Sequence, residues 1–327
     1  MVRPGVLLVC SERSGSNLLK AMLNQHEALF VGPPMPLYEC FSAIEESYGD
    51  LSIEENWQKM LGDAAELIAV NHQPVPYSIS AMEMCEAEHG ARRGWPGLVC
   101  AAYSLLAEKS GAQIYGYKYS TNMLNLRRFI EATEFTHIIY QVRDPRDVLI
   151  SHLHTGFNQK SPREIASTWQ NEQLYAMDAI KASGLPLVSI SYEDLVLKPR
   201  ETMNAIWQFL ELSPCNSVED YYQEDVNRQA AGKSHMWQNL SQPLQQQNVG
   251  RYYREWNFFA VKRLEWQLAE ALDNHGYEKS RFKKFDSLFR KPSRKVLSEA
   301  DRSFQLPQKA KWESLVAEAD RRMRGDG

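Results

Sequence analysis

The 327-residue sequence has no stretch of about 18 consecutive apolar residues, the length needed to cross a bilayer as a helix. Its first apolar run, Val6 to Cys10, is far shorter than a signal-peptide core. Neither a membrane span nor export is expected, and the reading is a cytoplasmic protein. Cysteine is scarce: the five residues Cys10, Cys40, Cys85, Cys100 and Cys215 are odd in number and show no CxxC spacing. A disulfide framework and a zinc knuckle are therefore excluded, and a reducing compartment fits. No HExxH and no clustered aspartate pair occurs, so no metal site is expected. A surplus of positive charge is also missing, since 37 Lys and Arg stand against 41 Asp and Glu, a formal net charge of -4. Without a global basic field the chain is not expected to bind nucleic acid, and any anion site must be local.

What is present is ordinary for a folded protein, with 43% hydrophobic and 24% charged residues. Val6 to Cys10 suits a buried parallel strand, and Asn17 to Gln25 carries an apolar helical face at positions 18, 19, 22 and 23. GPPMPLY, 32 to 38, must be extended or turning. Further strands are predicted at Gln113 to Tyr119, Thr136 to Val142 and Leu187 to Ser191, spaced widely enough for crossover helices. The fold class expected is α/β, a mainly parallel sheet flanked by helices in a three-layer sandwich like that of the P-loop NTPases. One α/β domain is expected over 1 to 278. A charged extension, helical or partly mobile, is expected over 279 to 327.

Three stretches carry candidate chemistry. In SERSGSNLL the backbone amides of Ser14, Gly15, Ser16 and Asn17, where a helix begins, point at one spot suited to a phosphate. Arg13 adds a cation, but GxxxxGK[ST] is absent, so the lysine and magnesium-binding hydroxyl of a nucleotide triphosphatase loop are missing. The plain alternative is a capped turn. In VRDPRDVLISHLH, Arg143 ends a strand, Asp144 is an N-cap, Pro145 fits the first helical position and Ser151 follows two turns on. Arg143 there can grip a second phosphate or simply pair with Asp144 or Asp147. In ISYEDLVLKP, Tyr192 ends a strand, where it can meet a base edge or sit half-buried.

SERSGSNLL, VRDPRDVLISHL and SYEDLVLKP, in that order, resemble the signature set of the sulfotransferases that use 3′-phosphoadenosine 5′-phosphosulfate, PAPS. The resemblance covers roughly residues 5 to 260. It implies that the first loop, Arg13, Ser14, Gly15, Ser16, Asn17 and Leu18, binds the 5′-phosphosulfate end, with Arg13 where the family has lysine or arginine. It implies that Arg143 and Ser151 bind the 3′-phosphate and Tyr192 contacts the adenine. NVGRYYREW, with Gly250 and Arg251, is similar to a segment of the family that also touches the 3′-phosphate, and Lys233 is a weaker candidate. Glu12 stands where proline is common, and Asn17 and Leu18 replace the threonine and tryptophan of the vertebrate cytosolic enzymes. This pattern is closer to bacterial and carbohydrate-type members.

The reaction so implied moves the sulfuryl group of PAPS to a hydroxyl of a small-molecule, lipid or sugar acceptor, leaving adenosine 3′,5′-bisphosphate. In-line displacement needs cations and amides to stabilise spreading charge and a base to take the acceptor's proton. Arg13 and Lys118 suit the first task. For the base, Glu39 comes first by analogy with bacterial members of the family, followed by His72 and then His152. Segments 35 to 110 and 221 to 259 are expected to wall the acceptor pocket. A P-loop-type kinase and a non-catalytic PAPS-binding homologue are the competing readings. The sequence leaves the acceptor and the choice between monomer and homo-oligomer open.

Overall fold

The computed structural model of the chain describes residues 2–86, 93–156, 160–281, 301 and 303–324. Five strands, β1 (Arg3–Cys10), β2 (Leu29–Val31), β3 (Ile114–Tyr119), β4 (His137–Val142) and β5 (Leu187–Ser191), form one sheet in the order β2-β3-β1-β4-β5. Every pairing is parallel. The four strands predicted from the sequence fall where expected. Only β2 was not foreseen, because three residues are too few to show an alternating pattern.

Alternation along the strands splits the core into two layers. Leu7 and Val9 of β1 join Tyr117 and Tyr119 of β3 and Tyr140 of β4 on one face, under helices that bring Trp57 and Trp169. Val6 and Leu8 face the other way with Ile139 and Ile190, against Leu19, Met22 and Trp207. Both faces are covered, as an all-parallel sheet requires. Among the described residues, no helix is long and apolar enough to cross a membrane. Two further helices, Phe258–Gln267 and Ala269–Asn274, follow late in the chain.

The neighbours of β1 determine where a ligand can sit. The chain leaves β1 for β2 and β3 on one side and then crosses to β4 on the other, so a crevice opens at the carboxyl end of β1, between β3 and β4. The turn after β4 is fixed by Asp144, whose carboxylate accepts from the Arg146 amide at 2.9 Å and caps the helix Pro145–Thr155. The same carboxylate holds the Arg146 guanidinium at 2.7 Å, and Glu265 takes its other end at 2.7 Å. All three side chains are buried, and Arg146 also lies over the Tyr252 ring, 4.3 Å from its centroid. This network pins the helix after β4 to the helix Phe258–Gln267.

The C-terminal segment is not a loose appendage where it is described. Its helix Leu306–Arg324 lies on the helix Glu54–Ala69. Arg322 pairs with Asp63 at 3.1 Å and sits 4.6 Å from the Tyr48 ring centroid, while Lys311 pairs with Glu66. Of the charged extension expected over 279 to 327, residues 282–300, 302 and 325–327 lie outside the described residues.

Removing one member of a buried ion network leaves the others uncompensated. Glu265→Leu is expected to cost about 3–5 kcal/mol, read as a lower urea unfolding midpoint; an unchanged midpoint would show that the network does not hold the two helices together.

Candidate active site

The loop after β1 is built on two left-handed residues. Arg13 has φ 65° and Gly15 φ 89°. An arginine in that region is strained, and such strain persists only where the surroundings enforce it. Ser14 supplies part of the enforcement, its hydroxyl donating to the Ser11 carbonyl at 2.6 Å. The helix Ser16–Leu23 then begins with its first amides turned toward the crevice. Gly15 is required for a second reason: a Cβ there would lie 2.3 Å from Cδ2 of Tyr192.

That contact draws the three motifs together. Tyr192 is the first residue of the helix Tyr192–Leu197 and is buried. The Arg143 guanidinium sits 4.2 Å from its ring centroid. Arg143 donates to the Arg13 carbonyl at 3.1 Å and to the Asn248 carbonyl at 2.9 Å, and its Nε is buried with no partner. Arg13 in turn donates from Nε to the Ser151 hydroxyl at 3.1 Å. The aromatic ring of Tyr192 is thus already engaged by Arg143 and Gly15, and its first role is to hold both in place.

Asp144 and Asp147, the plain partners for Arg143 on sequence grounds, are occupied elsewhere. Asp144 holds Arg146, and Asp147 accepts from the amides of Gly250 at 2.8 Å and Tyr252 at 2.9 Å. Burial pushes the Asp147 carboxyl up to about 6 despite Arg143 nearby. This clamp fixes the 248–252 segment and with it the Asn248 carbonyl. Arg251 is turned away to Glu255 and to His154, 2.8 Å from its Nδ1. Lys233 is exposed at the end of the helix Asp225–Lys233.

Lys118 enters from β3. Its ammonium donates to the Ser16 hydroxyl at 3.3 Å and to Asn17 Oδ1 at 3.0 Å. Leu18 packs its side chain partly against the core on the helix side of the sheet. Lys20, one turn beyond Ser16, is also buried, and burial together with the Lys118 charge brings its pKa down to about 7. Sequence reading missed Lys20; its spacing of four from Ser16 on one helix was the available signal. Burial likewise lowers Arg13, to about 10, and Lys118. Among the described residues none of Arg13, Lys20, Lys118 and Arg143 makes an ion pair with a carboxylate. Buried cations without counter-ions are costly. A crevice that gathers three of them, Lys20, Lys118 and Arg143, with half-buried Arg13 and a helix N-terminus suits an anion with several charged oxygens.

The three candidate bases occupy different surroundings. Glu39, in the first turn of the helix Leu37–Ile44, accepts from the Thr121 hydroxyl at 2.9 Å, and its Oε2 is buried without a partner. Burial raises its pKa, opposed by its own backbone and Thr121. His72 is different: burial lowers its pKa, and the charges of Lys118 and Lys233 add to that effect. Burial, then Arg13 and Lys160, hold His152 down to about 3. The sheet explains the difference, since Lys118 points to the opposite face of β3 from Tyr117 and Tyr119, which lie in the Glu39 environment.

Residues 4–215 match the model of the sulfotransferase family. A comparison with curated protein sequences finds no match. Among solved structures, the sulfotransferase domain of the Synechococcus PCC 7002 olefin synthase is similar at 17% identity and a TM-score of 0.59, covering 85% of this chain and 96% of that domain. The sulfotransferase domain from the curacin biosynthetic pathway is similar at 20% identity and a TM-score of 0.55, covering 86% of this chain and 100% of that domain. At these identities the likeness speaks for a common fold.

Gly15→Ala combines a positive φ with a methyl group driven into the Tyr192 ring. The expected cost is about 2 kcal/mol or more, seen as a lower thermal midpoint. A midpoint equal to that of the unaltered protein would remove the close packing of Gly15 on Tyr192.

Proposed function

The chain belongs to the sulfotransferase family, and on that premise we propose that it moves the sulfuryl group of PAPS to the hydroxyl of an acceptor. The observation that carries the reading is the set of cations, buried Arg143 and Lys118 with half-buried Arg13, gathered around the start of one helix with no carboxylate bound to any of them among the described residues. The orphaned Nε of Arg143 fits a phosphate oxygen, and the amides of Ser14 to Asn17 fit the 5′-phosphosulfate. In this reading Arg143 and Ser151 take the 3′-phosphate, while Arg13 and Lys118 face the charge that spreads from sulfur onto the leaving phosphate.

The proton of the acceptor hydroxyl goes to His72. A base must lie within reach of the reacting group. His72 keeps its Nε2 without a hydrogen bond among the described residues, its ring is held by Gln308 and Trp237, and burial favours its neutral, proton-accepting form, which supports the histidine. Glu39, desolvated and singly hydrogen-bonded, is left as a wall of the acceptor pocket. The acceptor is a hydroxyl compound that fits between the segments 35 to 110 and 221 to 259.

Transfer from labelled PAPS to a panel of alcohols, phenols and sugars tests the activity. Stabilisation by ATP with magnesium, with none by adenosine 3′,5′-bisphosphate, would instead support a kinase. Arg143→Ala is expected to weaken binding of the bisphosphate about tenfold to a hundredfold in calorimetry; unchanged affinity removes Arg143 from the phosphate site. His72→Gln is expected to abolish most turnover while bisphosphate affinity stays, and Glu39→Gln to retain it. The opposite pattern would return the base to Glu39. Because His72 must be neutral to accept a proton and its pKa is lowered, the acid limb of kcat is expected below the ordinary imidazole range of about 6.5.

A further inference from the structure

The orientation of His72 follows from a chain of hydrogen bonds in which each member leaves the next only one role. Asn71 is buried, and its Nδ2 donates to two backbone carbonyls, Pro34 at 3.3 Å and Gln73 at 3.0 Å. A carbonyl oxygen only accepts, so the Asn71 amide is fixed and its Oδ1 faces outward. Gln308 donates to that oxygen from Nε2 at 2.6 Å. The Gln308 Oε1 is thereby turned to Nδ1 of His72, 2.5 Å away. An amide oxygen only accepts, so Nδ1 must carry the proton and the lone pair lies on Nε2. No hydrogen bond engages Nε2 among the described residues.

The ring plane is fixed as well. His72 stacks on Trp237, centroids 5.7 Å apart, and meets Phe304 at 6.0 Å. Phe304 and Gln308 both belong to the C-terminal segment, beyond the 4–215 stretch that matches the family. That segment is held at both ends. Asp301 accepts from His235 Nδ1 at 2.6 Å beside Trp237, and Lys311 and Arg322 pair with Glu66 and Asp63 on the helix that ends just before Asn71. Between these anchors it contacts His72 through Gln308 and Phe304.

We propose that Gln308, oriented by Asn71, fixes His72 as the Nδ1–H tautomer and so makes the C-terminal segment a positioning element of the active site. The inference rests on the reading of His72 as the base. In the reaction the acceptor oxygen bonds to sulfur as its proton passes to Nε2, and the bond from sulfur to the 5′-phosphate oxygen breaks with its electron pair leaving on that phosphate. His72 then carries both ring protons, and the Gln308 oxygen still accepts from Nδ1. The charged groups near the ring, Lys118 and Lys233, favour its neutral form before the step.

The imidazole nitrogen resonances of the full chain, labelled with 15N-histidine and assigned by difference with His72→Gln, read the tautomer without any acceptor present. The expected pattern for His72 is Nδ1 protonated and Nε2 bare. In Gln308→Leu it should become a mixture, with kcat on the fastest acceptor of the labelled-PAPS panel falling about tenfold or more and bisphosphate affinity unchanged. Gln308→Glu keeps an acceptor opposite Nδ1. It should restore the tautomer and, by adding negative charge, move the acid limb of kcat to higher pH. A protonated Nε2 in the unaltered protein overturns the proposal, as does a Gln308→Leu variant with the same tautomer and kcat. Full turnover in His72→Gln, with Nδ1–H still observed, would overturn the base reading alone and leave the tautomer assignment standing.

Discussion

The guanidinium of Arg143 is the constraint on which the rest of the site depends. It binds the carbonyl of Arg13, the carbonyl of Asn248 and the ring of Tyr192, so one side chain joins the loop after β1, the start of the helix after β5 and the 248–252 segment. Each of these partners needs its own support. Arg13 must enter the left-handed region, Gly15 must lack a Cβ, and Asp147 must hold the amides of Gly250 and Tyr252. The local strain persists because a well-packed sheet lies beneath it.

Electrostatics give this arrangement its direction. Carboxylates are close at hand in Asp144, Asp147 and Glu193, yet each is engaged elsewhere: by Arg146, by backbone amides, and by the Asp144 amide and Tyr277. The cations of the crevice therefore remain available, and burial keeps water from screening them. Arg146 shows the contrasting solution in the same helix. With Asp144 and Glu265 as full partners it serves the fold alone, three residues from an arginine that has none.

Much of the fold was legible in the sequence because parallel strands read as short runs rich in apolar and β-branched or aromatic residues, as β1, β3, β4 and the edge strand β5 do. The helix cap at Asp144 was legible for a similar reason, since short-range chemistry sets it. β2 has three residues and no periodicity to read. The site was legible only in part. The motifs indicated which residues meet, but not that Tyr192 would be occupied by Arg143, or that Arg251 would turn to Glu255. Charges that meet between a helix and a strand, such as Lys20 and Lys118, leave no mark of their pairing at a fixed sequence spacing. Lys118 and Glu39 on opposite sides of β3 likewise follow from pleating, which becomes visible only when the register is known.

His72 and Gln308 are separated by 236 positions in the chain. During synthesis the five strands and the cation crevice, complete by residue 251, emerge well before the helix Leu306–Arg324. Domains tend to fold from the N-terminal side as they emerge. A nascent chain can therefore carry a formed anion crevice before the partner proposed to set the tautomer of His72, on the helix Leu306–Arg324, has been made.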